Sequence, residues 1–317
     1  MLNANQLKGV SWGDGPLLVL AGSDSGKTKV LTHRIAKLIE ESPEDTFKIL
    51  CLTFTNKAVA DIQERVNTLV PKTNMRIKMS TYHSFSTALL RQHGSHLGLR
   101  SDFTILSQEE DRRLILDEAI ANAGITHVGE YDRRKLLSIV TKLTEQNIPV
   151  DTAPESLRVI YPDNAQQIGK IYQCYREQLI KNNELDLGRL VAEAIGLLTK
   201  APIGNLVRRI YPYICVDEFQ NINSAQYQLS CCVVNPDTRN LFVVADTDQR
   251  IYQWNGASQD RVRQLKAYFD MTVLSLPENY RYPSSVLKLA NKLIANNPSH
   301  DAVESCLLYT SPSPRDS

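Results

Sequence analysis

Leu17-Leu18-Val19-Leu20-Ala21-Gly22-Ser23-Asp24-Ser25-Gly26-Lys27-Thr28 decides the fold. Its first five residues are a continuous apolar run, the pattern of a strand buried on both faces of a parallel sheet. Small and polar residues end that strand, and an amphipathic pattern from Lys27 to Ile39 opens a helix. A small-residue turn between a buried strand and a helix N-terminus is the setting of a phosphate loop. Successive backbone N–H groups and the helix end can surround phosphate oxygens there. Lys27 would then lie against the β- and γ-phosphates of ATP, and the Thr28 hydroxyl would bind Mg2+. A Gly-Lys-Thr triplet alone is common, and a plain strand-to-helix turn is the bland alternative. The strand before and the helix after are what make the signal specific. Ala21 stands where the generic pattern has Gly, and Asp24 adds a carboxylate. A like charge about 6 Å from a phosphate costs roughly 3 kcal/mol at an effective dielectric of 20. Nucleotide binding is therefore expected to be weakened but not abolished, and Asp24→Gly to tighten it.

The same alternation continues outward. Ile49 to Phe54 reads as a second buried strand, followed by a helix from Lys57 to Leu69. Ile77 to Ser80 is a shorter strand leading to a helix near Phe85 to Arg91. From about residue 95 to 207 the periodicity turns helical, with Leu114, Ile115 and Ala119, then Leu136, Val140 and Leu143, then Ile168, Ile171, Tyr172, Tyr175 and Leu179. Strands resume at Tyr213–Val216, Leu241–Val244 and Val273–Leu276. The expectation is an α/β fold, an open parallel sheet covered by helices and interrupted by a helical insertion. Ligands of such sheets bind at the carboxyl ends of strands.

Two further strand ends carry chemistry. Ile214-Cys215-Val216-Asp217-Glu218-Phe219-Gln220-Asn221 ends a buried run in adjacent carboxylates. Phosphoryl transfer needs one acid to hold Mg2+ and a group to orient water. Asp217 suits the first role and Glu218 the second, as general base. Taken alone, an acid pair capping the next helix is an equal alternative; downstream of a phosphate loop the catalytic reading is better. Val244-Ala245-Asp246-Thr247-Asp248-Gln249 repeats the pattern, and Gln249 could report on the γ-phosphate. Tyr252 and Trp254 follow, and aromatics beside a nucleotide site can stack on bases, worth about 1–3 kcal/mol per base. Core aromatics are commoner than base-stacking ones.

Composition sets bounds. Lys+Arg 36 against Asp+Glu 35 gives a formal net charge of +1, so any nucleic-acid contact must be local. Among the 6 cysteines no metal spacing occurs; Cys51 and Cys215 fall in apolar runs and read as buried thiols. A reducing, cytoplasmic compartment is expected. No apolar stretch is long enough to span a bilayer, and no membrane partner is expected.

With these residues quoted, the chain resembles superfamily 1 helicases of the UvrD/Rep/PcrA type. Leu2-Asn3-Ala4-Asn5-Gln6 looks like that family's adenine-reading motif, with Gln6 on the base, and Ala21, Gly22, Ser23, Asp24, Ser25, Gly26, Lys27 and Thr28 look like motif I. Thr53-Phe54-Thr55-Asn56-Lys57-Ala58 resembles motif Ia, and Ser80-Thr81-Tyr82-His83-Ser84-Phe85 the DNA-contact motif after it. Val216 to Asn221 resembles motif II, Asp246 to Ala257 motif III, and Glu278-Asn279-Tyr280-Arg281 motif IV. The resemblance runs from Leu2 to about Asn296 in the family's order.

It implies an ATP-dependent 3′→5′ translocase on single-stranded DNA that acts at junctions of single and double strands. Tyr280 would stack on adenine and Arg281 approach the γ-phosphate, while Phe54, Asn56, His83, Tyr252 and Trp254 would line the strand. Residues 1–94 and 208–276 would form a RecA-like P-loop NTPase lobe, 95–207 its helical 1B insertion, and 277–304 the start of a second lobe. Lys29 and Asn255 stand where the family usually has Arg, and Leu187 where it often has an aromatic residue; Lys29 would stack on adenine less well than a guanidinium. The second lobe's motifs and its arginine fall outside the chain, which implies impaired turnover, closer to a module that binds nucleotide and DNA. A helicase–nuclease motor is a further alternative. Residues 305–317 resemble a translated sequencing adapter rather than a natural Ser/Pro-rich tail.

Overall fold

The computed structural model describes residues 1–22, 25–42, 47–71, 74–126, 131–246, 260–280 and 289. In chain order α1 (Ala4–Val10) precedes β1 (Leu17–Ala21), then α2 (Lys27–Glu41), β2 (Ile49–Thr53), α3 (Asn56–Leu69), β3 (Ile77–Thr81) and α4 (Tyr82–His93). The middle contains β4 (Thr104–Leu106), α5 (Glu109–Asn122), α6 (Arg133–Glu145), α7 (Ala153–Arg158), α8 (Ala165–Asn182), β5 (Glu184–Asp186), α9 (Leu187–Leu198) and α10 (Ala201–Ile210). β6 (Tyr213–Val216), α11 (Ser224–Val233), β7 (Leu241–Ala245), α12 (Asp260–Phe269) and β8 (Thr272–Leu276) follow. The chain divides into two compact units. One holds Met1–Thr81, Leu206–Ile222 and the described residues from Val233 onward; the other holds Tyr82–Asn205 and Asn223–Cys232.

The first unit is built on one parallel sheet in the order β3-β2-β6-β7-β1-β8. β1 lies inside it, with Val19 opposite Val244 on β7 and Leu274 on β8. An interior strand covered on both faces needs apolar side chains throughout, and Leu17, Leu18 and Val19 are fully buried. α2 covers one face with Val30, Leu31, Ile35 and Ile39, a helical spacing that gathers them on one side. Each such buried side chain contributes roughly 1.5–3 kcal/mol. β2 stops at Thr53 because Thr55 turns the chain: its hydroxyl accepts from Ala58 N (3.1 Å) and caps α3. The parallel register brings the carboxyl ends of β1, β6 and β7 to one edge of the sheet.

The second unit is mainly helical. Ile115, Leu116 and Ala119 of α5, Leu136, Val140 and Leu143 of α6, and Ile168, Ile171, Tyr172, Tyr175 and Leu179 of α8 form its core. Gly169 of α8 is required by close approach, since a Cβ there would meet Pro154 Cγ at 2.7 Å. β4 and β5 pair in parallel, with Leu106 opposite Asp186. Asp186 then starts α9, accepting from Arg189 N (2.8 Å) and from the Tyr175 hydroxyl (2.9 Å).

Candidate nucleotide site

Lys27 begins α2 directly after Gly26, whose φ of +89° glycine tolerates and a side chain would not. Ala21 closes β1, Gly22 follows it exposed, and Ser25 is buried, its hydroxyl donating to Gly22 O (2.8 Å). Thr28, half-buried, is the second residue of α2. The Lys27 side chain is buried and folds back over the loop. Its Nζ donates to Ala21 O (3.3 Å), Gly22 O (3.0 Å) and Asp246 Oδ2 (3.1 Å). Asp246, at the end of β7, is itself only 2% exposed, so this ion pair is sequestered from water. Ser23 and Asp24 lie outside the described residues.

The acid pair sits at the end of β6. Asp217 is buried, its N donates to Leu52 O (3.0 Å), and its Oδ1 accepts from Glu218 N (3.1 Å). Burial, reinforced by the neighbouring Glu218 charge, pushes the Asp217 carboxyl up to about 7, against the opposing pull of Lys27 and Arg65. Glu218 has φ +51° and ψ +43°, a left-handed conformation that costs a non-glycine residue of order 1–3 kcal/mol. Its carboxylate accepts a short hydrogen bond from Gln220 Nε2, and Gln220 Oε1 accepts from Asp246 N (3.0 Å). Lys27, Asp246, Gln220, Glu218 and Asp217 are thus linked in sequence across three strand ends.

The same residues fit a divalent cation. A buried carboxyl whose ionisation is opposed by burial and by a second acid is relieved by a bound positive charge. Thr53, one residue past the carbonyl that Asp217 N reaches, is 1% exposed, and its Oγ1 has no hydrogen-bond partner among the described residues. Cys51 pairs with Cys215, so Thr53 and Asp217, two residues on, share a face of the sheet. An orphaned buried hydroxyl beside a carboxylate suits the hydration shell of Mg2+, which keeps several waters.

The loop is closed on its other side by α1. Asn3 caps that helix and accepts from Gln6 N (2.7 Å), while Gln6 Oε1 accepts from Asn3 N (3.1 Å). This leaves Gln6 Nε2 to donate to Ser25 O (3.0 Å). A Cβ on Gly26 would lie 2.5 Å from that amide, so Gly26 also allows the approach. Past β8, the Tyr280 hydroxyl accepts from Asn3 Nδ2, and Glu278 Oε1 accepts from Asn5 Nδ2 (3.1 Å). Tyr280 is 45% exposed, leaving it open to a ligand. Lys29 Nζ donates to Met1 O (2.7 Å).

Of the residues expected to meet DNA, half-buried Phe54 and exposed Asn56 follow β2 in the first unit. His83 lies in α4 of the second unit, where burial lowers its pKa. Gln249, Tyr252, Trp254, Asn255 and Arg281 lie outside the described residues. Leu187 is the first residue of α9 and 45% exposed. Sequence reasoning assigned no role to Asp246 or Gln220. Asp246 carried a usable signal, an acid closing a second buried strand, but its partner is 219 residues away. Gln220 carried none beyond its place two residues after Glu218.

A family model described as the UvrD/REP helicase N-terminal domain matches residues 2–270. The chain is 34% identical over 299 residues to proteins named ATP-dependent DNA helicase PcrA from Staphylococcus aureus strains, covering 93% of this chain and 40% of each relative. The protein of the same name from Staphylococcus epidermidis is 33% identical over the same shares. The chain therefore spans about two fifths of the length of the curated relatives it matches.

Proposed function

The chain belongs to the UvrD/REP helicase family, and from that premise we propose that it is the nucleotide-binding part of an ATP-driven 3′→5′ motor on single-stranded DNA. The observation that carries this reading is the convergence of Lys27, Asp246, Gln220, Glu218 and Asp217 at one sheet edge. Lys27 exchanges Asp246 and the loop carbonyls for β- and γ-phosphate oxygens, a swap that keeps the buried ammonium paired throughout. Asp217 and Thr28 would hold Mg2+, which supplies charge neutralisation of the phosphates. Glu218 orients water and accepts its proton as general base. Gln6 reads the adenine edge, Lys29 and Tyr280 flank the base, and Gln249 and Arg281 answer to the γ-phosphate.

Phe54, Asn56, His83, Tyr252 and Trp254 carry the strand in this reading, and junctions of single and double strands are the natural substrate. Residues 1–94 and 208–276 correspond to the ATP-binding lobe, 95–207 to its insertion, and 277–304 to the start of a second lobe. Among the described residues Cys51, Cys174, Cys215, Cys231 and Cys232 form no disulfide, which favours a reducing, cytoplasmic setting. Among the described residues no single helix is long and apolar enough to cross a membrane.

The test is Glu218→Gln. Nucleotide affinity should persist while hydrolysis in the presence of single-stranded DNA falls by about 10²–10⁴-fold; an unchanged rate would overturn the assignment.

A further inference from the structure

We propose that Gln220 is a positioning residue that aims the Glu218 carboxylate and ties its orientation to the end of β7. This rests on Glu218 being the base. Gln220 is 5% exposed, and its two amide atoms face different strand ends. Its Oε1 accepts the Asp246 backbone N–H at 3.0 Å, and its Nε2 donates to Glu218 Oε2. The chemistry fixes the amide's direction, because only oxygen can accept from a backbone N–H and only nitrogen can donate to a carboxylate. Glu218 needs such a guide. Its left-handed backbone turns it out of β6, and its carboxylate is bonded by Gln220. The turn at Phe219–Asn221 returns the chain so that Gln220 reaches back two residues.

The link has a consequence for the reaction. Asp246 holds Lys27 through its carboxylate and Gln220 through its backbone N–H. When Lys27 leaves Asp246 for phosphate, any shift of the β7 end is passed through one amide to the base. Gln220 touches no reacting atom; it makes the base's aim depend on the strand end that senses the phosphate-loop lysine.

The experiment compares the full chain with Gln220→Met, Gln220→Glu, Glu218→Gln and the double variant Glu218→Gln/Gln220→Met. It reads single-turnover Mg2+-ATP hydrolysis with protein in excess, nucleotide affinity, and exchange of the Asp246 amide. Gln220→Met removes both hydrogen bonds at similar volume. It should slow hydrolysis by about 10²-fold, the scale of a misplaced group, with affinity within about twofold. Gln220→Glu keeps an acceptor for Asp246 N but cannot donate to Glu218. It should be as slow as Gln220→Met while the Asp246 amide stays protected; in Gln220→Met that amide should exchange faster. In the Glu218→Gln background Gln220→Met should cost no more than about twofold, because the group it aims is gone. A parental rate in Gln220→Met or Gln220→Glu, or a fully additive loss in the double variant, overturns the proposal while Glu218 keeps its role. Equal rates for the parent and Glu218→Gln overturn the catalytic reading, and this inference with it.

Discussion

Lys27 is satisfied by protein oxygens alone, and this makes its replacement a stability experiment as well as a binding one. Lys27→Met removes the ammonium that pairs with Asp246, which is 2% exposed. Breaking a buried pair from one side costs about 3–5 kcal/mol, so urea unfolding of Lys27→Met should show a loss of that order. Lys27→Met/Asp246→Leu should recover most of it, with nucleotide binding absent from both. Asp217 behaves in the opposite sense. Its carboxyl is raised from 3.8 to about 7, so between those values the native state holds a proton that the unfolded chain has released. Stability therefore falls as pH rises through that window. In EDTA the chain should be less stable at pH about 8 than at about 5, and Asp217→Asn should flatten that slope; an unchanged slope in the variant would remove Asp217 as its cause. Glu218 carries a backbone cost instead. Glu218→Gly relieves its φ of +51° and should stabilise the fold by about 1 kcal/mol, partly offset by the freer unfolded chain, while abolishing hydrolysis. Stability gained where activity is lost is the mark of a conformation held for function.

Elements with a strong local pattern were legible before any coordinates. β1, β2, β6 and β7 are uninterrupted apolar runs, and α2 carries its buried face at helical spacing, so period and length alone fix their type. β4 and β5 are three residues each, too short to show a period, and only their mutual pairing makes them strands. α1 is a seven-residue helix whose start is set by a reciprocal Asn3–Gln6 cap rather than by the usual Ser/Thr and Glu pair. At the candidate site, the turn between β1 and α2 and the acid pair were visible because each is a contiguous motif. The Lys27–Asp246 and Gln220–Asp246 contacts were not, because strand order, not sequence distance, creates them. α1 also gives an element-scale prediction. Gly26→Ala forces a Cβ to within 2.5 Å of Gln6 Nε2 and strains a φ of +89°. It should cost about 2 kcal/mol in thermal unfolding and weaken nucleotide binding. Gly26→Ala/Gln6→Ala should regain the part owed to the clash but not the backbone part. Equal stability of the single and double variants would mean the backbone alone carries the loss.

At the scale of the whole molecule, charge argues for how a DNA strand would be held under the proposed function. Lys+Arg 36 and Asp+Glu 35 nearly cancel, so no long-range field collects the polyanion, and association lacks electrostatic steering. Affinity is left to a few local phosphate contacts and to stacking. Each phosphate neutralised on a single strand contributes about −0.7 to the slope of log K against log salt. Three contacts would give a slope of roughly −2, about a 16-fold weakening over a fourfold rise in salt. Stacking at about 1–3 kcal/mol per base is indifferent to salt and tolerant of base identity. The expected behaviour is therefore shallow salt dependence with little sequence preference. Fluorescence anisotropy with oligo(dT) and with mixed-sequence strands, between about 50 and about 200 mM salt, measures both quantities. Phe54→Ala should weaken binding by the stacking increment and leave the slope unchanged, whereas loss of a phosphate-contacting cation should make the slope shallower by about 0.7. A slope steeper than about −4 would mean that a concentrated basic face, hidden in the balanced total, dominates binding instead.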